Sequence, residues 1–388
     1  MKMEYSLETL LISVGAILVF ALFASLFRSQ IERNEVLHDY KAINGLRGLA
    51  AIFVFINHAP FMLTNLGVKN STFSSWGQAY PNLGSFGVQV FFCITGLLFF
   101  DKVMRTPSIV WAQFFTARVR RVAPLYYFTS VVVLLIVLVC SRFHIVDRES
   151  IITIAGMLTF NFIDNPQKVG GMSLVPLSSV TWTLVHEWRF YAALPLIALA
   201  YWSRFGWQIM CVAVLLAAAD LYYSAVVCWP YFLTGCLAAL AMQKIKCSKG
   251  LSSLALLVAA GTFGLTLGLV EVPGYGAVRF VLTSLFFIAI IIANPRLLGA
   301  QVLNRLSDIS YSIYLIHLPV LFLLYKTLAL FIEFTTIDKQ TFWIINFAAI
   351  PLIVMTSVFT YVNIERRFMS NSPSKHAASD TVQAGGGH

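Results

Sequence analysis

Asn44-Gly45-Leu46-Arg47-Gly48-Leu49-Ala50-Ala51-Ile52-Phe53-Val54-Phe55-Ile56-Asn57-His58 sets an arginine and a histidine around an apolar run. A run of this kind belongs in a membrane helix, where an ionisable group needs a partner or a water-filled cavity and is by default a functional candidate. Arg47 and His58 lie eleven residues apart. On a helix that is about three turns, so they share a face and stand roughly 16 Å apart along the axis.

The surrounding chain fits that reading. Of its 388 residues, 59% are hydrophobic and only 11% charged, with a mean hydropathy of +0.79. A soluble protein of this length would need far more charge to cover its surface. Apolar runs long enough to cross a bilayer are expected at 6–27, 46–64, 85–101, 122–140, 181–202, 206–221, 225–242, 251–270, 277–293, 309–331 and 342–362. The fold class is therefore an all-α polytopic membrane protein of about eleven spans.

A net charge of +10 suggests nucleic acid until its distribution is considered. Most of the 27 basic residues fall on one set of alternate loops and the tail, from Arg28, Arg33, Lys41 and Arg47 through Arg118, Arg120 and Arg121 to Arg366, Arg367 and Lys375. The opposite loops hold only Lys2, Lys69, Arg142, Arg148, Lys168 and Lys339. The positive-inside rule then predicts an external N-terminus and a cytoplasmic C-terminus.

Between 141 and 180 the apolar stretch Ile151–Leu158 is too short to cross and reads as re-entrant or interfacial. The first span lacks a basic leader and is followed by basic residues, so it reads as a retained helix. Cys93, Cys140, Cys211, Cys228, Cys236 and Cys247 show no paired spacing, which indicates packing and no metal site. The Ser-, Ala- and Gly-rich segment 369–388 is expected to be disordered.

Four further clusters carry polar groups into apolar sequence. Arg118 and Arg121 lie at i and i+3 where a loop enters a span, and arginine forks suit phosphate. In Thr181-Trp182-Thr183-Leu184-Val185-His186-Glu187-Trp188-Arg189-Phe190-Tyr191, residues Thr183, Glu187 and Tyr191 line one helical face, while His186 and Arg189 point elsewhere. Ser310, Tyr314 and His317 form another stripe, at i, i+4 and i+7. Gly87 and Gly96 permit close backbone approach in the aromatic span 85–101. Two readings stand for these groups. Arg47, Arg118 and Arg121 suit either a ligand phosphate or topology anchoring, and His58 and the 310–317 stripe suit either proton chemistry or interhelical hydrogen bonding.

Taken in order, the clusters resemble the membrane-bound acyltransferase-3 family. Arg47 and His58 match its R-x10-H, Phe91-Phe92-Cys93-Ile94-Thr95-Gly96 is similar to F-F-x-x-S-G, and Arg118, Arg121 and Pro124 match R-x-x-R-x-x-P. Trp182, Leu184, Glu187, Phe190 and Tyr191 follow W-S-L-x-x-E-x-x-F-Y, and Ser310, Tyr311, Tyr314, Leu315, His317 and Pro319 follow S-Y-x-x-Y-L-x-H-x-P. Thr95 stands for the usual Ser, and Arg367 for the proline that commonly follows Glu-Arg near the end. The resemblance covers 41–368. It implies a ten-helix core there, preceded at 1–40 by one extra transmembrane helix with a basic linker.

The resemblance implies a bacterial inner-membrane O-acyltransferase that uses acyl-CoA, most often acetyl-CoA. His58 and Glu187 are then the expected catalytic pair, converging from opposite interfaces near mid-membrane, with His58 as general base on an acceptor hydroxyl and Glu187 orienting the histidine or the acceptor. An acyl-His58 intermediate is the variant. Arg47, Arg118 and Arg121 are expected to bind the donor, and Trp182, Tyr191, Ser310, Tyr314 and His317 to bind substrate or support the site. The expected acceptor is a surface-polysaccharide sugar such as that of lipopolysaccharide O-antigen. Alternatives are a small exported molecule or peptidoglycan sugar and, in different classes, a transporter, a flippase, or a non-catalytic receptor or scaffold.

Overall fold

In a computed structural model the described residues are 2–31, 40–68, 78–141, 147–224, 226–244, 248–268 and 274–370. In chain order the helices are α1 (Lys2–Leu26), α2 (Arg28–Ile31), α3 (Lys41–Asn65), α4 (Ala79–Arg105), α5 (Trp111–Cys140), α6 (Arg148–Leu158), α7 (Val175–Ser178), α8 (Trp182–Trp202), α9 (Gly206–Tyr223), α10 (Trp229–Lys244), α11 (Lys249–Gly268), α12 (Ala277–Ala293), α13 (Gln301–Asp308), α14 (Ser310–Leu328), α15 (Lys339–Thr360) and α16 (Arg366–Ser370). A π-helical turn, Tyr361–Glu365, joins α15 to α16, and a two-residue hairpin, Lys168–Val169 with Met172–Ser173, precedes α7. The expected disordered segment lies, from 371 on, outside the described residues, as does Cys247.

Each of the eleven expected spans falls on a helix. Among the described residues, eight helices are long and apolar enough to cross a membrane, which makes this a multi-pass membrane protein. The seventeen-residue α12 is a shorter apolar helix. The other two, α8 and α10, fall outside both groups. At 16 residues α10 reaches about 24 Å against a hydrocarbon core of about 30 Å. α8 carries His186, Glu187 and Arg189 in its first half. The segment 148–158 is an eleven-residue helix, too short to cross, started by Asp147, whose carboxylate accepts from the Ser150 amide at 2.7 Å.

α4 sits centrally, packed between α3 and α10, and glycine makes this contact close. A Cβ on Gly96 would strike the Phe232 carbonyl, and one on Gly235 the Cys93 carbonyl, so α4 and α10 touch backbone to backbone. Gly87 likewise lies against α3, where a Cβ would come 2.7 Å from the Ala50 carbonyl oxygen. Several buried polar groups in this packing find partners on neighbouring segments. Gln89 of α4 donates to the Gly274 carbonyl and accepts from Thr283, and Arg279 donates to the Thr266 carbonyl.

The bundle has two distinguishable ends. At one, Tyr40 donates to Asp101, Arg105 pairs with Asp101 at 2.7 Å, and the Trp202 indole donates to the Val103 carbonyl at 3.3 Å. The start of α3 and the ends of α4 and α8 therefore lie together, with the other basic groups expected on one side. At the other end, Lys339 meets Glu8 at 3.9 Å and Tyr80 donates to the same carboxylate at 3.5 Å, joining the starts of α15 and α4 to α1.

Candidate active site

Near the basic end α3, α4, α5, α8 and α14 enclose a cavity with about 870 Å³ of empty space, its mouth included. Arg47, Arg118, Arg121, Glu187, Tyr191 and Tyr314 are among its lining residues. The i, i+3 spacing does bring Arg118 and Arg121 to one surface, and the Thr183, Glu187, Tyr191 face points inward as read from the sequence. Aromatic and small residues of α4, including Phe91, Thr95 and Phe99, form the opposite wall. An aromatic run in a helix carries no sign in the sequence of which rings face a void.

Three guanidinium groups share this lining with one carboxylate. Arg118 lies over the Phe99 ring at 4.9 Å, and its buried Nε has no hydrogen-bond partner. Arg121 meets Glu365 at 4.0 Å, and Glu365 accepts from Ser312. Glu187 accepts from Tyr191 and shares the cavity lining with Arg47. The lining is thus a net cation, and one of its arginines carries a buried donor without a partner.

Glu365 was not singled out in the sequence. It is fully buried, in the π-helical turn, and takes the charge of Arg121. The available signal was a carboxylate ending an apolar run, and π turns of this kind recur at functional sites.

Along α14 the side chains form a ladder away from the basic end. Tyr311 donates to the Val122 carbonyl at 2.8 Å, bridging to α5. Tyr314 meets Thr183 of α8 at 2.8 Å and donates to the Val180 carbonyl at 3.0 Å. One turn further, His317 Nε2 lies 3.0 Å from His58 Nδ1, and His317 Nδ1 lies 2.9 Å from the Ile313 carbonyl oxygen. Ser310 is turned to the Ser307 carbonyl and takes no part in the cavity lining. Trp182 packs edge-on against His186 and Tyr275, also outside it.

The proton positions in the histidine pair follow from chemistry. The Ile313 carbonyl only accepts, so His317 Nδ1 carries its proton. In the neutral ring Nε2 then accepts, and His58 Nδ1 must be the donor. That leaves His58 Nε2 as a free lone pair, a base whose orientation is held by a second ring.

One expectation is corrected here. Glu187 and His58 do not converge: Glu187 sits among the arginines, α8 meets α14 through Thr183 and Tyr314, and the partner of His58 is His317. Helix rise fixes depth along an axis, but rotation about it is set by packing. The Tyr191 ring, edge-on to Phe99 and Phe114, turns this face of α8 toward α5.

A family model described as an acyltransferase domain (Acyl_transf_3) matches residues 40–362. The chain belongs to the acyltransferase-3 family. It is a membrane acyltransferase, and the match spans Arg47, His58, Arg118, Arg121, Glu187, Tyr314 and His317. No curated protein and no solved structure matches the chain. Within this acyltransferase α1 precedes the matched region yet packs into the bundle, its Phe20 edge-on to Phe55 at 5.4 Å.

Proposed function

We propose that this acyltransferase moves an acyl group, acetyl in the first instance, from acyl-CoA to a sugar hydroxyl of a surface polysaccharide such as lipopolysaccharide O-antigen. The observation that carries the donor assignment is the lining itself. Arg47, Arg118 and Arg121 face one cavity with the Glu187 carboxylate in its lining and Glu365 paired to Arg121, a set that stays net positive and suits a phosphate-bearing ligand. The charge distribution of the loops supports a cytoplasmic basic end, the compartment that supplies acyl-CoA.

The lining ends at Thr183 and Tyr314, and His317 is three residues beyond Tyr314, roughly 4.5 Å of helix rise. A donor held by its phosphates at the arginines therefore directs its thioester end toward the histidine pair. His58 Nε2 takes the proton from the acceptor hydroxyl as its oxygen attacks the thioester carbonyl. The carbon–sulfur bond breaks, and the proton on His58 passes to the leaving thiolate. His317 keeps the base in the correct tautomer, and Glu187 with Tyr191 sets the position and net charge of the arginine cluster.

Calorimetric titration of coenzyme A into the purified full chain tests the donor assignment. Arg118→Gln and Arg121→Gln are each expected to weaken binding about tenfold, the scale of one charge-assisted hydrogen bond. Unchanged affinity in both folded variants would return these arginines to topology anchoring.

A further inference from the structure

α8 faces two separate spaces. Thr183, Glu187 and Tyr191 line the arginine cavity, whereas His186, Arg189 and Ala193 line a crevice closed on its other sides by α9 and α10. This crevice holds about 1450 Å³ of empty space, the larger of the two. Phe92, from the arginine cavity, packs on His186 at 6.0 Å and on Phe232 of α10 at 4.8 Å, so one aromatic layer parts the two.

The crevice is apolar along most of its length and polar at one end. Its wall runs along α8 from Arg189 to Ala200, about 16 Å, or roughly half the hydrocarbon core of a bilayer. Of α9, only Ala217 and Leu221 are buried, so this outer wall of the crevice turns most of its apolar surface away from the bundle. The polar groups His186, Arg189 and Asp220 lie toward the end away from the basic loops. Asp220 is already engaged, accepting from the Trp229 indole at 2.7 Å and the Ser224 hydroxyl at 2.8 Å. Arg189 is exposed and makes no hydrogen bond or ion pair with any described residue. An arginine in this setting calls for an anion.

We propose that the crevice binds a lipid bearing a phosphate headgroup, its chain lying between α8, α9 and α10 and its phosphate on Arg189 beside His186. The shape accommodates about one leaflet's depth of hydrocarbon, and Arg189, the charged lining group to which no described residue is hydrogen-bonded, lies where the headgroup belongs. The proposal does not depend on acyl transfer, since the lipid site lies on the opposite face of α8 from the arginine cavity.

Native mass spectrometry of the full chain in detergent tests it, with dioleoylphosphatidylglycerol, a polyprenyl phosphate and dioleoylglycerol as probes and no acyl-CoA present. At least one phosphate-bearing lipid is expected to be retained about tenfold better than dioleoylglycerol. Which is retained tells a bilayer phospholipid from a carrier lipid. Arg189→Gln should abolish the preference, Arg189→Lys should keep most of it, and Ala193→Trp should block retention by filling the crevice. Monodisperse size-exclusion elution and a wild-type-like thermal transition report that each variant is folded. Equal retention of all three lipids, or a preference unmoved by Arg189→Gln and Ala193→Trp, would overturn the proposal.

Discussion

His58 Nδ1 lies 3.0 Å from Nε2 of His317, a residue 259 positions later, and the two rings meet edge to edge, their planes 26° apart and their centroids 5.2 Å apart. With the Ile313 carbonyl fixing the proton on His317 Nδ1, the pair presents one free nitrogen, Nε2 of His58.

If His317 works by accepting from His58, an acceptor of similar reach should replace it in part. His317→Leu is expected to lower kcat about 10²-fold with little change in KM for the donor, and His317→Gln to recover much of the loss. Steady-state kinetics of the two variants provide the comparison. Equal rates in both would show that His317 only fills space.

Glu187 is the one carboxylate among the described residues that line the arginine cavity. Neutralising it leaves the lining more cationic, so Glu187→Gln is expected to tighten coenzyme A binding roughly fivefold. Calorimetry measures this directly. Unaltered affinity with a collapsed kcat would instead place Glu187 on the acceptor.

Arg121 and Glu365 form a pair in which the carboxylate is fully buried. Removing one charge strands the other, so Glu365→Gln alone should cost about 3 kcal/mol, the low end for a broken buried pair. Combined with Arg121→Gln, the loss should be smaller than the sum of the single changes. A double-mutant cycle by denaturant unfolding checks the coupling, and strict additivity would deny it.

The α4 to α10 contact gives a pair of contrasting glycine substitutions. Gly235→Ala drives a methyl into the Cys93 carbonyl and should destabilise by about 1–3 kcal/mol. Gly261→Ala, with nothing within 4 Å, should stabilise by about 0.5–1 kcal/mol as helix entropy is recovered. Thermal unfolding should shift in opposite directions.

The helices were legible because lipid-spanning runs are long and uniformly apolar, and all eleven expected segments coincide with helices. The length of α10 and the polar first half of α8 separate them from the eight clear crossings, a distinction that run-finding alone blurs. Spacing also placed Arg118 with Arg121, and Thr183 with Glu187 and Tyr191, since neighbours on one helix share a face by geometry. Partners on different helices were not legible. His58 with His317, Arg121 with Glu365 and Tyr314 with Thr183 each depend on how two helices are rotated, and sequence periodicity says nothing of that angle. The same ignorance put Glu187 beside His58.

The central claim is that His58 is the base for transfer from acyl-CoA, and release of free thiol from acetyl-CoA measures it most directly. Purified wild-type protein should release coenzyme A in the presence of acceptor glycan. His58→Ala should bind coenzyme A normally yet release thiol at least about 10²-fold more slowly. Undiminished release by folded His58→Ala would contradict the account.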